Sequence, residues 1–165
     1  MEDAVDRVLA QWGRERPDLD VRAMAVIGRI GRAEAILDRK VGAVLAEHDL
    51  LPGEFDLLAT LRRSGSPHRL AVGQMLAATM VTSGAVTNRL NRLVAKGYVT
   101  RETDPANRRS VLVTLTDHGL TVVDAALARH VENERALLGT LSSDEEQQLA
   151  GLLRKLLLGL GDGAA

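Results

Sequence analysis

The chain contains no cysteine, and that absence closes several chemistries at once. Without thiols there is no disulfide framework, no thiolate zinc site, no cysteine nucleophile and no thiol redox sensor. Aromatic residues are scarce, at one Trp, one Tyr and one Phe. Such scarcity argues against an aromatic-rich β-sandwich and against a sheet that stacks RNA bases. Of the four histidines, His48, His68, His118 and His130, no two stand at the i, i+4 spacing of a helical metal pair, so neither a metal nor any other cofactor is expected. No apolar run approaches the roughly 18 residues of a membrane-spanning helix. The acidic, amphipathic stretch from Met1 to Leu19 lacks the basic-then-apolar order of a secretion signal. Glycine-rich phosphate loops and nucleophile elbows are missing, and Glu145 and Glu146, on successive helical positions, do not converge on one reaction centre. The expectation is a soluble cytoplasmic chain with no catalytic residues and no membrane partner.

What is present begins with charge. The 165 residues carry a formal net charge of −1, which hides an asymmetry. Between Thr60 and Ser110 stand Arg62, Arg63, Arg69, Arg89, Arg92, Lys96, Arg101, Arg108 and Arg109, against only Glu102 and Asp104. A basic block inside an otherwise acidic chain reads as a footprint for a polyanion, although surface charge also clusters by chance.

The hydrophobic pattern is helical for most of its length. Leu9, Gln11 and Trp12 lie in a short first pattern that stops near Gly13 and Pro17. Asp18 and Asp20 then offer N-caps to a long helix carrying Val21, Met24, Ile27, Ile30, Leu37, Val41, Val44 and Leu45, ending near Glu47. Pro52 suits the first position of a helix running to about Arg63, and Ser64-Gly65-Ser66-Pro67 breaks the chain. Helices are expected at Val72 to Ala78 and at Thr82 to Lys96, the second closed by Gly97. Two alternating runs, Tyr98 to Thr103 and Val111 to Leu115, flank a turn-forming segment that includes Arg108 and Arg109. Thr116 and Ser142 cap two further helices, the last with a Ser142/Glu145 capping box and a leucine stripe.

Helix, helix, helix, hairpin is the order of a winged helix-turn-helix, so the fold class is mainly α with a small β-hairpin. The division expected is 1–51 for an extra helix and a dimerisation helix, 52–115 for the winged helix, and 116–165 for C-terminal dimerisation helices. The flanking helices are too apolar to stand alone in water, which implies a second copy of the chain. Only the Gly161-Asp162-Gly163 tail reads as disordered.

On a helical wheel Val86, Leu90, Leu93 and Val94 face the core, while Gly84, Asn88, Asn91 and Arg92 lie opposite, with Thr87 at the edge. Asn pairs bidentately with adenine and Arg with guanine in a major groove. Gly84 permits close backbone approach, and Thr82 and Ser83 offer donors to phosphate. Arg108 and Arg109 at the hairpin tip suit a minor groove or the backbone, with Asp104 bracing them. The other readings of these residues are an ordinary amphipathic helix, a solvated charged turn, and a winged helix used only as a protein-interaction module. Charge reversal at Arg108 and Arg109 separates the last from DNA binding.

Thr82-Ser83-Gly84-Ala85-Val86-Thr87-Asn88-Arg89-Leu90, Asp104-Pro105-Ala106-Asn107-Arg108-Arg109-Ser110 and the closing Leu115-Thr116 resemble the MarR family of transcriptional regulators over nearly the whole chain. Trp12, Pro17-Asp18-Leu19-Asp20, Gly28-Arg29-Ile30 and the segment Gly53 to Gly65 resemble its urate-responsive, PecS-type branch. The resemblance implies a homodimeric repressor on a pseudo-palindromic double-stranded DNA operator, released by a small anionic or aromatic effector such as urate or another purine. It also implies ligand contacts at Trp12, Asp56 and Arg89, with a fourth position, often Asn in that branch, occupied here by Ser64. On the residues alone, Trp12 also reads as a packing side chain and Asp56 as a surface acid, whereas the wheel puts Arg89 on the half-buried edge of its helix.

Overall fold

Pro52, which has no N–H to leave unsatisfied, opens the helix at the centre of the chain, and the Glu54 carboxylate accepts the Leu51 amide at 3.1 Å to close its first turn. In the computed structural model, which describes residues 1–78 and 83–163, this helix is α3 (Pro52–Arg63). Before it come α1 (Ala4–Glu15) and α2 (Arg22–Ala46); after it come β1 (Arg69–Ala71), α4 (Val72–Ala78), α5 (Ser83–Ala95), β2 (Val99–Thr103), β3 (Val111–Leu115), α6 (Asp117–Leu137) and α7 (Ser143–Gly159). The winged-helix order is therefore present.

Local chemistry accounts for the boundaries. Asp3 caps α1 by accepting the Val5 and Asp6 amides while Asp6 accepts the Asp3 amide in return, so α1 starts earlier than its apolar pattern suggests and runs on through Gly13. Val21, rather than an aspartate, occupies the cap position of α2, yet Asp20 accepts the Arg22 amide at 3.1 Å; Asp18 pairs with Arg16 instead. Gly97, at φ +70°, ends α5 in the left-handed region. Thr116 caps α6 and Ser142 caps α7 with its capping box.

The sheet has one more strand than the pattern announces. Its order is β1-β3-β2, antiparallel throughout, with Val99 opposite Leu115 and Arg69 opposite Thr114. β1 is three residues long, too short to show alternation, and it exists because β3 offers it a free edge.

The core lies where the winged helix meets α6. Leu57, Leu58 and Leu61 of α3, Met75 of α4, Val86, Leu90 and Leu93 of α5, Val113 of β3, and Val123 and Ala126 of α6 are almost fully buried. α1 packs on the first half of α2, where Val5 sits against Gly28 and Arg29 binds both Asp3 and Asp6. No residue of α7 is buried: Leu149, Leu152, Leu157 and Leu158 are all exposed, as is Leu160 just beyond its end. Between α2 and α7 runs an apolar groove of about 510 Å³ lined by Val26, Ile30, Leu152 and Leu153. Among the described residues no helix is long and apolar enough to cross a membrane, and no His/Asp/Glu cluster suits a metal ion.

Candidate nucleic-acid interface and ligand site

α5 presents two faces. Val86, Leu90 and Leu93 are buried as the wheel expects, but Val94 is 41% exposed because it falls past the edge of the core. Thr87, Asn88, Asn91 and Arg92 are exposed. Thr82 lies outside the described residues, as do the side chains of Ser83 and Gly84, whose backbone opens α5.

Asn91 and Arg92 are engaged with neighbouring elements. The Asn91 Oδ1 accepts a hydrogen bond from Arg101 Nη1 of β2 at 2.7 Å. Arg92 Nε stands 2.9 Å from Glu54 Oε1, in ion-pair contact without hydrogen-bond alignment. The wing tip carries Arg108 and Arg109, both exposed. Asp104 does not brace them. Its carboxylate accepts the Ala106 amide at 2.9 Å, because a local Asx turn satisfies it at shorter range than either arginine can.

Pairing thins the basic block. Arg62 binds Asp124, Arg69 binds Glu102, and Arg92 and Lys96 both bind Glu54. Among the described residues Arg63, Arg89, Arg101, Arg108 and Arg109 of the block have no acidic partner within salt-bridge distance. Positive charge therefore concentrates along the α5–wing surface.

Behind that surface α5 meets the first turns of α3. Arg89 lays its guanidinium directly over Gly53, where any Cβ would collide with it. Its Nη1 is buried and has no hydrogen-bond partner. Asp56 is exposed on α3, yet close enough for the charges of Arg89, Arg63 and His130 to act on it. Partial burial pushes its carboxyl above the ordinary 3.8, while those charges pull in the other direction. The third group is His130 of α6: its ring is 5.0 Å from that of Phe55, Nε2 is 3.2 Å from Glu134, and Nδ1 is buried without a partner. An unpaired guanidinium N–H, a carboxylate whose proton affinity is raised by burial and an unpaired imidazole nitrogen together suit a small planar ligand with both acceptors and donors.

The structure brings Asp56 and Arg89 together but not the other two positions expected to join them. Ser64 ends α3, about 12 Å along the axis from Asp56, and its hydroxyl donates to the Leu61 carbonyl at 2.7 Å. Trp12, 42% exposed, sits on α1 beyond the Val5–Gly28 contact, toward the start of α2. From Gly28 to Leu45 alone the axis of α2 covers about 25 Å, so Trp12 is remote from Asp56 of its own protomer. Gly53, Glu54 and His130 carry roles that pattern reading missed. A glycine in a helix's first turn was the available signal for Gly53; His130 had none, because its place depends on how α6 packs.

Comparison with known proteins agrees with this architecture. The profile of the MarR family matches residues 48–110. The HTH-type transcriptional regulator PecS of Dickeya dadantii is 40% identical over 152 residues, 92% of each chain. Among solved structures, the MarR family transcriptional regulator Sco5413 of Streptomyces coelicolor superposes with a TM-score of 0.77 at 30% identity, covering 88% of this chain and all of that one. A MarR mutant of Escherichia coli complexed with operator DNA superposes at 0.69 with 25% identity, over 94% of this chain and 99% of that one.

Proposed function

Because this chain belongs to the MarR family of transcriptional regulators, we propose that it is a ligand-responsive repressor, a homodimer that binds a pseudo-palindromic operator and releases it when a small anionic purine such as urate binds at Arg89 and Asp56. One observation carries the ligand-responsive part: the Arg89 guanidinium, seated on Gly53 with a buried N–H unpaired, belongs to the helix that would enter the major groove. An anion bound there pairs with Arg89 and repels ionised Asp56, so the two arrangements of α5 differ in ligand affinity. That differential is the only way a ligand moves the equilibrium.

The dimer follows from the uncovered leucines of α7 and the apolar groove beside α2. Two copies of α5 related by a two-fold axis then read half-sites about 34 Å apart. Base contacts are assigned to Thr87, Asn88 and Asn91, with Gly84 allowing close approach and Thr82, Ser83, Arg108 and Arg109 on backbone or minor groove. Since Trp12 is remote from Asp56 of its own protomer, its proposed ligand contact is made from the partner protomer.

The test is operator binding by fluorescence anisotropy, using the DNA upstream of the gene, at several salt concentrations and with and without urate, xanthine or hypoxanthine. A salt-dependent, sequence-specific complex that a purine dissociates, with quenching of Trp12, supports the reading. Absence of any preferred site at about 50 mM salt refutes DNA recognition. An undiminished ligand response in Arg89→Ala refutes the ligand site.

A further inference from the structure

Glu54 is 1% exposed, and it is the one carboxylate among the described buried residues of the winged helix. Oε2 accepts the Leu51 amide at 3.1 Å and Lys96 Nζ at 3.0 Å, and Oε1 lies 2.9 Å from Arg92 Nε. Lys96 Nζ also donates to the Asp49 carbonyl at 2.5 Å, at the junction where α2 gives way to α3. Arg92 lies on the second half of α5 and Lys96 immediately after its last residue, four positions on, so a single buried carboxylate grips that end of the helix at two points.

We propose that Glu54 is a positioning and specificity residue for operator recognition: it pins the second half of α5 to the α2–α3 junction and withholds Arg92 and Lys96 from DNA phosphate. The inference rests on the reading above that the chain binds an operator. The physical reason is an asymmetry of solvation. A phosphate on the DNA surface that loses a cation regains water and counterions. Glu54, sealed from solvent, has no replacement, and stripping partners from a buried charge is strongly unfavourable. Arg92 and Lys96 therefore stay with Glu54 when DNA arrives. Two cations that would bind any sequence are instead committed to holding the reading face at a fixed angle, and this favours the specific site over the non-specific ones.

The slope of log K against log salt counts phosphate contacts, at about 0.9 for each. Operator and scrambled DNA are titrated at several salt concentrations with the wild-type protein, Arg92→Met, Lys96→Met and Glu54→Gln. The inference expects Arg92→Met and Lys96→Met each to leave the operator slope within about half a unit of wild type, while operator affinity drops several-fold because the pin is loosened. Glu54→Gln frees Arg92 and leaves Lys96 with Asp49 alone, whose carboxylate lies 3.4 Å from Nζ, so its slope steepens by about 0.9 or more, and the operator-to-scrambled affinity ratio falls at least about tenfold. A slope shallower by about 0.9 in Arg92→Met shows that Arg92 grips phosphate and overturns the proposal. So does a folded Glu54→Gln with wild-type slope and ratio. If circular dichroism shows that Glu54→Gln does not fold, the two cation variants decide the matter alone. Failure of the wild-type protein to bind operator is a different result, and it removes the operator reading itself.

Discussion

Gly53→Ala separates ligand recognition from folding more cleanly than any change at Arg89. The Cβ it adds would lie 2.5 Å from Arg89 Nη1 and closer still to the guanidinium carbon. Non-bonded heavy atoms need about 3.5 Å, so the guanidinium must retreat by about 1 Å or more. It is the far end of a flexible side chain, and it can swing outward without moving backbone. Folding therefore suffers little, and an alanine in place of glycine adds up to about 1 kcal/mol of helix propensity. Ligand binding suffers fully, since a guanidinium displaced by this much no longer meets an anion at the site. Loss of a charge-assisted hydrogen bond is worth about 1.5–3 kcal/mol, or roughly 10- to 150-fold in affinity. The assay pairs Trp12 quenching by urate with thermal unfolding of the same sample. Expected are an unchanged or slightly higher Tm, operator affinity within about threefold of wild type, and a urate affinity lower by at least tenfold. A Tm several degrees lower would show that the Arg89 seat is a structural contact, and unaltered quenching would show that the ligand binds elsewhere; either outcome refutes the reasoning.

Three other perturbations have signs fixed by the structure. Gly119→Ala drives a Cβ into the Tyr98 carbonyl, which is backbone and cannot swing aside, and urea unfolding should show a loss of about 2–3 kcal/mol. Asp56, whose folded pKa is raised above 3.8 by burial, binds its proton more tightly in the folded protein, so its contribution to stability falls as pH rises through that raised value. Asp56→Asn should thus gain stability relative to wild type between about pH 4 and pH 7, and a constant or reversed difference in melting curves contradicts the burial argument. Leu152→Glu together with Leu153→Glu puts charge on the uncovered face of α7; sedimentation should show monomer or unfolded chain, and operator affinity should drop at least about a hundredfold.

What could be read from the sequence followed local physical signals. α3, α4, β3 and the α7 capping box rest on Pro52, on short-range periodicity and on the Ser142/Glu145 spacing, and all are determined within a few residues of chain. β1 escaped because three residues cannot show alternation and its existence depends on an edge supplied more than forty residues later. At the site, the half-buried position of Arg89 was visible on the wheel, since it depends only on α5 itself. Glu54 was invisible for the opposite reason. Its partners Arg92 and Lys96 are set by how α5 crosses α3, and no periodicity reports which of nine cations in a basic stretch will be neutralised from outside it.

The contrast between Arg89 and Arg92 suggests how a small ligand acts on a large complex. Both residues lie on α5 three positions apart, yet one keeps a buried N–H unpaired and the other is held by a buried carboxylate. A ligand that draws on Arg89 therefore pulls α5 against a fixed point near Arg92 and Lys96 and does not carry the whole helix along. From Lys96 back to Ser83 the helix is about 20 Å long, and a tilt of roughly 10° about the Glu54 end displaces its first turn by about 3 Å. In a dimer the two first turns move in symmetry-related directions, so their separation changes by up to twice that amount. This is ample to lose register with major grooves one DNA turn apart. Couplings of about 1–3 kcal/mol are typical of allosteric proteins, and breaking one or two base-edge hydrogen bonds in each half-site costs at least that much. On this argument Glu54→Gln should weaken the release of operator by urate while leaving Trp12 quenching intact, because the ligand still binds but has no pivot to turn the helix against.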